Sequence, residues 1–273
     1  MFKARLLALS AAALGLHAPA LAQTAAAPPA KARWSIDYGV QRCSLFRSEG
    51  TQGTVFGLRI IPGRGDPEIL FTRDSFKPLG LDYAVRAALV LQPSGKRFEG
   101  GVVWTDLPDG KQVMMVDKVG RDFIDALAAS SSLALEARGK RLDLAFSGAS
   151  GAVKALRECN DALLRAWGAD VSHPDGTVLP EPLGGGFESW FSSELTPGEL
   201  ARRSSGTVVA RLDIGADGRL TGCTVLAGSG DKVLDSRSCE TFLRRGRYKP
   251  ARDPAGNPIA VKIVQTIHWL VGS

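Results

Sequence analysis

Four cysteines in a chain of 273 residues set the tightest constraint on what it can fold into. Cys43, Cys159, Cys223 and Cys239 are even in number, and no pair has the C-x-x-C spacing of a zinc knuckle or a redox motif. In an exported chain such a set favours disulfides, although four cysteines alone allow three pairings. Two fall on each side of residues 169–193, a stretch with four acids and no Lys or Arg. That distribution favours Cys43–Cys159 and Cys223–Cys239, one covalent staple per block. On loop-entropy grounds the second bridge stabilises its block by about 3 kcal/mol, and the first by more because its loop is longer.

Export is legible at the N-terminus. Lys3 and Arg5 precede an apolar run over residues 6–16, and Ala20-Leu21-Ala22 puts small residues at the −3 and −1 positions. This is the layout of a secretory signal cut after Ala22. The apolar run falls short of the ~20 residues that a bilayer span needs. Residues 1–22 are therefore expected to be a signal peptide and residues 23–33 a disordered leader; an uncleaved inner-membrane anchor is the alternative.

The formal charge of +6 is unevenly placed. Lys3 and Arg5 carry two of those charges, residues 31–168 carry +4, residues 169–193 carry −4, and residues 194–273 carry +4. Two mildly basic blocks thus flank an acidic joint, and no Lys/Arg cluster forms the stripe of a nucleic-acid binder. With 44% hydrophobic and 23% charged residues, wholesale disorder is excluded.

Residues 34–168 read as a β-rich α+β domain. Strands are expected over 34–47, 55–61, 68–72, 84–92, 102–105 and 112–116, punctuated by Pro62-Gly63, Pro93-Ser94-Gly95 and Pro108-Asp109-Gly110. A short helix is expected over 121–129. A hairpin around Arg138-Gly139-Lys140 follows, and an amphipathic helix over 150–167 closes the domain. Residues 169–193, with His173-Pro174-Asp175-Gly176 and Gly184-Gly185-Gly186, read as a linker.

Residues 194–273 read as β-β-α-β behind a short helix over 198–203. Residues 207–214 alternate, Val208, Ala210, Leu212 and Ile214 against Thr207, Val209, Arg211 and Asp213. Ala216-Asp217-Gly218 turns the chain, and residues 219–227 return with a bulge expected near Gly222. A helix to about Arg245 should turn Leu234, Cys239, Phe242 and Leu243 inward. A strand over 259–270 should place Ile259, Val261, Ile263, Ile267 and Trp269 on one face.

This ordered set resembles the C-terminal domain of TonB, the periplasmic part of the energy transducer that engages outer-membrane receptors. Pro197 and Ala201-Arg202 stand where that family has a Pro and an Ala/Arg helix before Gly206. Gly206-Thr207-Val208-Val209 with Asp217-Gly218-Arg219 matches its first hairpin. Ser229-Gly230 and Leu234-Asp235 match the start of its helix, and Arg247-Tyr248-Lys249-Pro250-Ala251 with Gly256 matches the segment before its last strand. The likeness spans residues 194–271, under a third of the chain.

The resemblance implies a periplasmic, non-enzymatic protein without cofactor or metal. Its last strand would offer backbone N–H and C=O groups to an extended segment of an outer-membrane TonB-dependent receptor or another envelope protein. The partner-binding residues are then Ile259, Val261, Lys262, Ile263, Gln265, Ile267, His268 and Trp269, with Lys262, Gln265 and His268 placed to touch a partner's side chains. The alternatives are an edge protected by the N-terminal domain, or an envelope interaction module that forms a homodimer. The chain also departs from TonB. Its only spacer is Ala27-Pro28-Pro29-Ala30, and ten extended residues span only about 31 Å. The second cysteine pair resembles a variant in exported relatives with a disulfide-bearing N-terminal domain.

Other chemistry has little in its favour. Outside the signal the histidines are His173 and His268. Ser147-Gly148-Ala149-Ser150-Gly151 is one residue short of a nucleophile elbow, and Ser150 reads as a helix N-cap. Gly228-Ser229-Gly230-Asp231-Lys232 lacks the Walker spacing, so Asp231 reads as a cap. Asp106, Asp109 and Asp117 lack the spacing of a calcium loop.

Overall fold

In the computed structural model, the structure describes residues 33–49, 53–63, 66–82, 84–171, 173–191 and 205–269. Contacts divide the chain at residue 30, and all of these residues belong to the unit Lys31–Ser273.

Nine strands form one antiparallel sheet: β1 (Trp34–Tyr38), β2 (Cys43–Glu49), β3 (Thr54–Ile60), β4 (Glu68–Arg73), β5 (Arg86–Gln92), β6 (Lys96–Asp106), β7 (Gln112–Asp117), β8 (Ser132–Ala137) and β9 (Lys140–Ala145). Their spatial order is β1-β2-β3-β4-β7-β6-β5-β8-β9. Period-2 alternation turns Leu45, Phe56, Leu58, Ile69, Phe71, Met114, Leu89 and Leu135 to one face, all fully buried or nearly so. Two helices cover that face, α1 (Asp122–Ala128) and α2 (Ala149–Ala166). The two ends of the sheet approach each other. Trp34 on β1 donates its indole N–H to the Ser147 carbonyl just past β9 and meets the Phe146 ring edge-on. Cys43 on β2 is bonded to Cys159 on α2, so the last element of this body is stapled to its second strand.

Three local readings are corrected. The stretch over 34–47 is a hairpin rather than one strand: Trp34 pairs with Arg47 and Tyr38 with Cys43, and the Gly39 N–H closes the turn on the Arg42 carbonyl. Helix α2 starts one residue earlier than expected, with Gly148 at the N-cap, which leaves Ser150 exposed inside the first turn rather than capping it. Strand β6 runs eleven residues, far beyond the apolar core at 102–105 that signalled it, because both its neighbours pair along it.

Residues 169–191 are not a bare connection. Short strand β10 (Glu181–Pro182) and helix α3 (Gly186–Phe191) lie within them. Beyond them come β11 (Gly206–Ile214), β12 (Leu220–Ala227), α4 (Lys232–Arg245), and short strands β13 (Tyr248–Lys249), β14 (Ala251–Arg252) and β15 (Pro258–Ile259). The last strand is β16 (Val261–Trp269). β10 pairs with β13, and Trp190 of α3 is buried among Phe242, Tyr248 and Phe187. The expected helix over 198–203 lies outside the described residues.

The C-terminal sheet has order β12-β11-β16, with α4 packed across it and Cys223 of β12 bonded to Cys239 of α4. The bulge expected near Gly222 is there: Asp213 faces Gly222 and Ile214 faces Leu220, so Thr221 is the extra residue. Asp231 caps α4 by accepting from the Val233 N–H. Leu243, expected inside, is 45% exposed. Nine residues past Leu234 it has turned about 180° around the helix, while Ser238 and Thr241 take the buried stripe.

Candidate functional site: the outer edge of the last strand

Strand β16 pairs with β11 along its whole length, from Ile214↔Val261 to Gly206↔Trp269, and no strand pairs with its other side among the described residues. In an antiparallel ladder alternate residues turn their N–H and C=O groups to the same neighbour. The groups of Lys262 and Thr266 turn away from β11, which assigns the outward edge to Lys262, Val264, Thr266 and His268.

Side chains alternate on the same strand. Val261, Ile267 and Trp269 are buried in the core that Leu234 and Phe242 of α4 share, and Ile259 and Ile263 pack partly against it, as the alternation suggested. The Trp269 indole N–H donates to Ser238 Oγ at 2.9 Å, a buried bond that pins the end of β16 to α4. Ile259 sits apart on β15, opposite Ala251, because the chain breaks strand pairing at Ala260. On the opposite face Lys262 and His268 are exposed, and the His268 Nδ1 lies 2.9 Å from Thr207 Oγ1 across the ladder. Gln265 falls on the α4 side, half-buried, with its Nε2 donating to the Thr266 carbonyl. Lys262 and His268 thus share a face and Gln265 does not.

The edge is engaged at two places. Asp170, four residues past α2, donates its N–H to the Lys262 carbonyl at 2.9 Å and accepts the Lys262 N–H on Oδ2 at 2.6 Å. Four residues along, the Gly63 carbonyl accepts the Thr266 N–H at 3.3 Å, and the Pro62 carbonyl accepts the Thr266 hydroxyl at 3.0 Å. Gly63 fits because it has no side chain: a Cβ would lie 2.5 Å from the Val264 carbonyl oxygen, and its φ is +77°. Beside these contacts a small third cluster buries Ala169, Val209 and Val264 under Leu164 and Trp167. Sequence reasoning missed Pro62, Gly63 and Asp170. Pro62-Gly63 shows as a turn and Asp170 as one acid of the joint, but separations of 204 and 92 residues leave no local trace of the pairing.

The residues behind the resemblance are brought together. The tip of the first hairpin docks on the segment before β15: the Tyr248 N–H donates to the Gly218 carbonyl at 2.9 Å, and Pro250 lies beside Gly218. Asp217 accepts the Arg219 N–H. At the start of α4, Asp235 Oδ1 accepts both the Ser229 N–H and the Ser229 hydroxyl, which locks Ser229-Gly230 against the helix that Leu234 anchors in the core. Gly206 opens β11, and Pro197 lies outside the described residues.

A cleft of about 900 Å³ opens on the outer face of the large sheet, rimmed by Arg86, Lys118, Arg138 and Lys140. Its Glu136 carboxylate bonds Arg97 at 2.6 Å and Arg141 at 2.5 Å, and the Arg97 hydrogen bond leads in holding Glu136 below the usual carboxylate range. A carboxylate clamped by two guanidiniums is a poor proton donor at neutral pH. Groups of three or more His, Cys, Asp or Glu able to hold a metal do not occur among the described residues. No helix among them is long and apolar enough to cross a membrane.

Residues 199–270 match the family model of the Gram-negative bacterial TonB protein C-terminal region. No curated protein and no solved structure matches the chain.

Proposed function

With a TonB-type C-terminal domain over residues 199–270 as premise, we propose that this chain is a non-enzymatic periplasmic protein that captures an extended peptide by strand addition along β16. The family match carries a TonB-like role in envelope transport. The finer reading rests chiefly on one observation: β16 is the outermost strand of its sheet, and only point contacts, not a neighbouring strand, meet its outward groups among the described residues. An added strand would find the N–H and C=O groups of Lys262, Val264, Thr266 and His268 along one line, with the exposed Lys262 and His268 side chains on one face for selectivity. The segment fitted to such an edge is the TonB-box type of peptide from an outer-membrane receptor. Titrating a TonB-box peptide should shift the backbone amide resonances of Val261–Trp269 while leaving β1–β9 unchanged. Absence of any shift at millimolar peptide overturns the reading. Concentration-dependent dimerisation with the same shifts would favour pairing between two copies instead.

A further inference from the structure

We infer that the chain holds its own partner edge shut, and that peptide capture requires the turn at Pro62-Gly63 and the segment at Asp170 to leave β16. The inference rests on the strand-addition reading and assigns that site its regulation.

The contacts imitate a pairing strand. Asp170 uses one backbone donor and one side-chain acceptor to satisfy both outward groups of Lys262, as a paired residue of a neighbouring strand would. The Gly63 carbonyl does the same for the Thr266 N–H, and its Cα stands where an incoming backbone would run past Val264. A peptide reaching from Lys262 to Thr266 meets occupied hydrogen-bonding groups at both ends and a steric stop between them. Strand addition and the closed edge therefore exclude each other.

The latch is also built to open. Its two halves come from sequence-distant pieces of the first body, the β3–β4 connection and the stretch after α2. Neither contributes a strand to the C-terminal sheet. Among the described residues the apolar cluster beside it buries three residues, with Leu164, Trp167, Leu226 and Ala227 packed on it and Arg211 donating to the Trp167 carbonyl, so opening breaks a small set of contacts beyond the edge bonds. An intramolecular competitor acts at high effective concentration, and the apparent peptide affinity scales with the fraction of molecules whose edge is open. Removing one half of the latch should raise that fraction.

Two full-length variants test this. Asp170→Ala deletes the acceptor for the Lys262 N–H. Gly63→Ala forces a Cβ into the Val264 carbonyl and so drives the turn off the edge. In the unaltered protein the Lys262 and Thr266 amides should be protected from hydrogen exchange. In either variant exchange at the released amide should rise by about tenfold or more, while β2–β3 amides stay protected. A TonB-box peptide should bind each variant about tenfold more tightly than the unaltered chain. Equal affinity for all three proteins, with shifts in β16, overturns the latch and leaves strand addition standing. Faster exchange in the variants with no peptide shift in any protein overturns strand addition instead, and the latch's regulatory role with it.

Discussion

A methyl group at Gly218 would sit 2.0 Å from the Tyr248 carbonyl oxygen, and the residue holds φ +80°. The Asp-Gly pair is thus more than a turn signal, because the same glycine lets the hairpin tip lie flush on the strand that carries Tyr248. Gly218→Ala should cost at least about 2 kcal/mol, from left-handed strain plus the displaced contact, seen as a lower urea midpoint. Tyr248 itself is buried against Trp190, and its hydroxyl has no hydrogen-bond partner among the described residues. Tyr248→Phe should therefore leave stability unchanged or raise it by up to about 1 kcal/mol. Burial pushes the phenol's pKa up, so its contribution is intact below the ordinary tyrosine range and is lost as pH rises through the shifted value. Melts from neutral pH to about pH 11 should fall less steeply for Tyr248→Phe than for the unaltered protein; parallel slopes would contradict that burial.

The two staples differ in what they close. Cys43–Cys159 spans 116 residues and Cys223–Cys239 spans 16. Loop entropy makes the first worth about 4–5 kcal/mol and the second about 3 kcal/mol. Replacing Cys43 and Cys159 together by alanine should lower the denaturant midpoint of their body further than the matching pair of replacements lowers that of the C-terminal domain. Equal losses would mean that packing, not loop length, sets the cost. Elements that answer to a local period were readable from the sequence. The alternation over 207–214 places Val208, Ala210, Leu212 and Ile214 in the core. The same alternation put Val209 outside, yet it is only 3% exposed, because the end of α2 covers that face. Trp190 was passed over for a related reason. Three glycines and two prolines around it read as a connection, while its burial depends on Phe242 and Tyr248, more than fifty residues away. Local composition carries the period of an element but not the surface that a distant element lays over it.

At the scale of the molecule, the sizes of the cores decide how the parts are coupled. Among the described residues the first body buries a cluster of 29, the C-terminal domain one of 12, and the seam between them one of 3. At roughly 1.5–3 kcal/mol for each fully buried aliphatic side chain, the seam contributes only a few kcal/mol, since one of its three residues is Ala169. The two cores are separate clusters joined only through this seam and the edge bonds among the described residues, so heating should give two calorimetric transitions, the smaller core melting first. Trp190 and Trp269 report on the C-terminal core, whereas Trp34 and Trp104 pack on the other. Trp190→Phe and Trp104→Phe proteins should therefore lose opposite parts of the fluorescence change. A single transition shared by Trp34, Trp104, Trp190 and Trp269 would mean that the seam, where the fifth tryptophan Trp167 packs, and the edge bonds tie the two bodies into one cooperative unit. The latch on β16 could then open only with global unfolding, too rarely to regulate anything. Two transitions place the energy of opening near that of the seam alone, within reach of a partner strand that replaces the lost hydrogen bonds with its own.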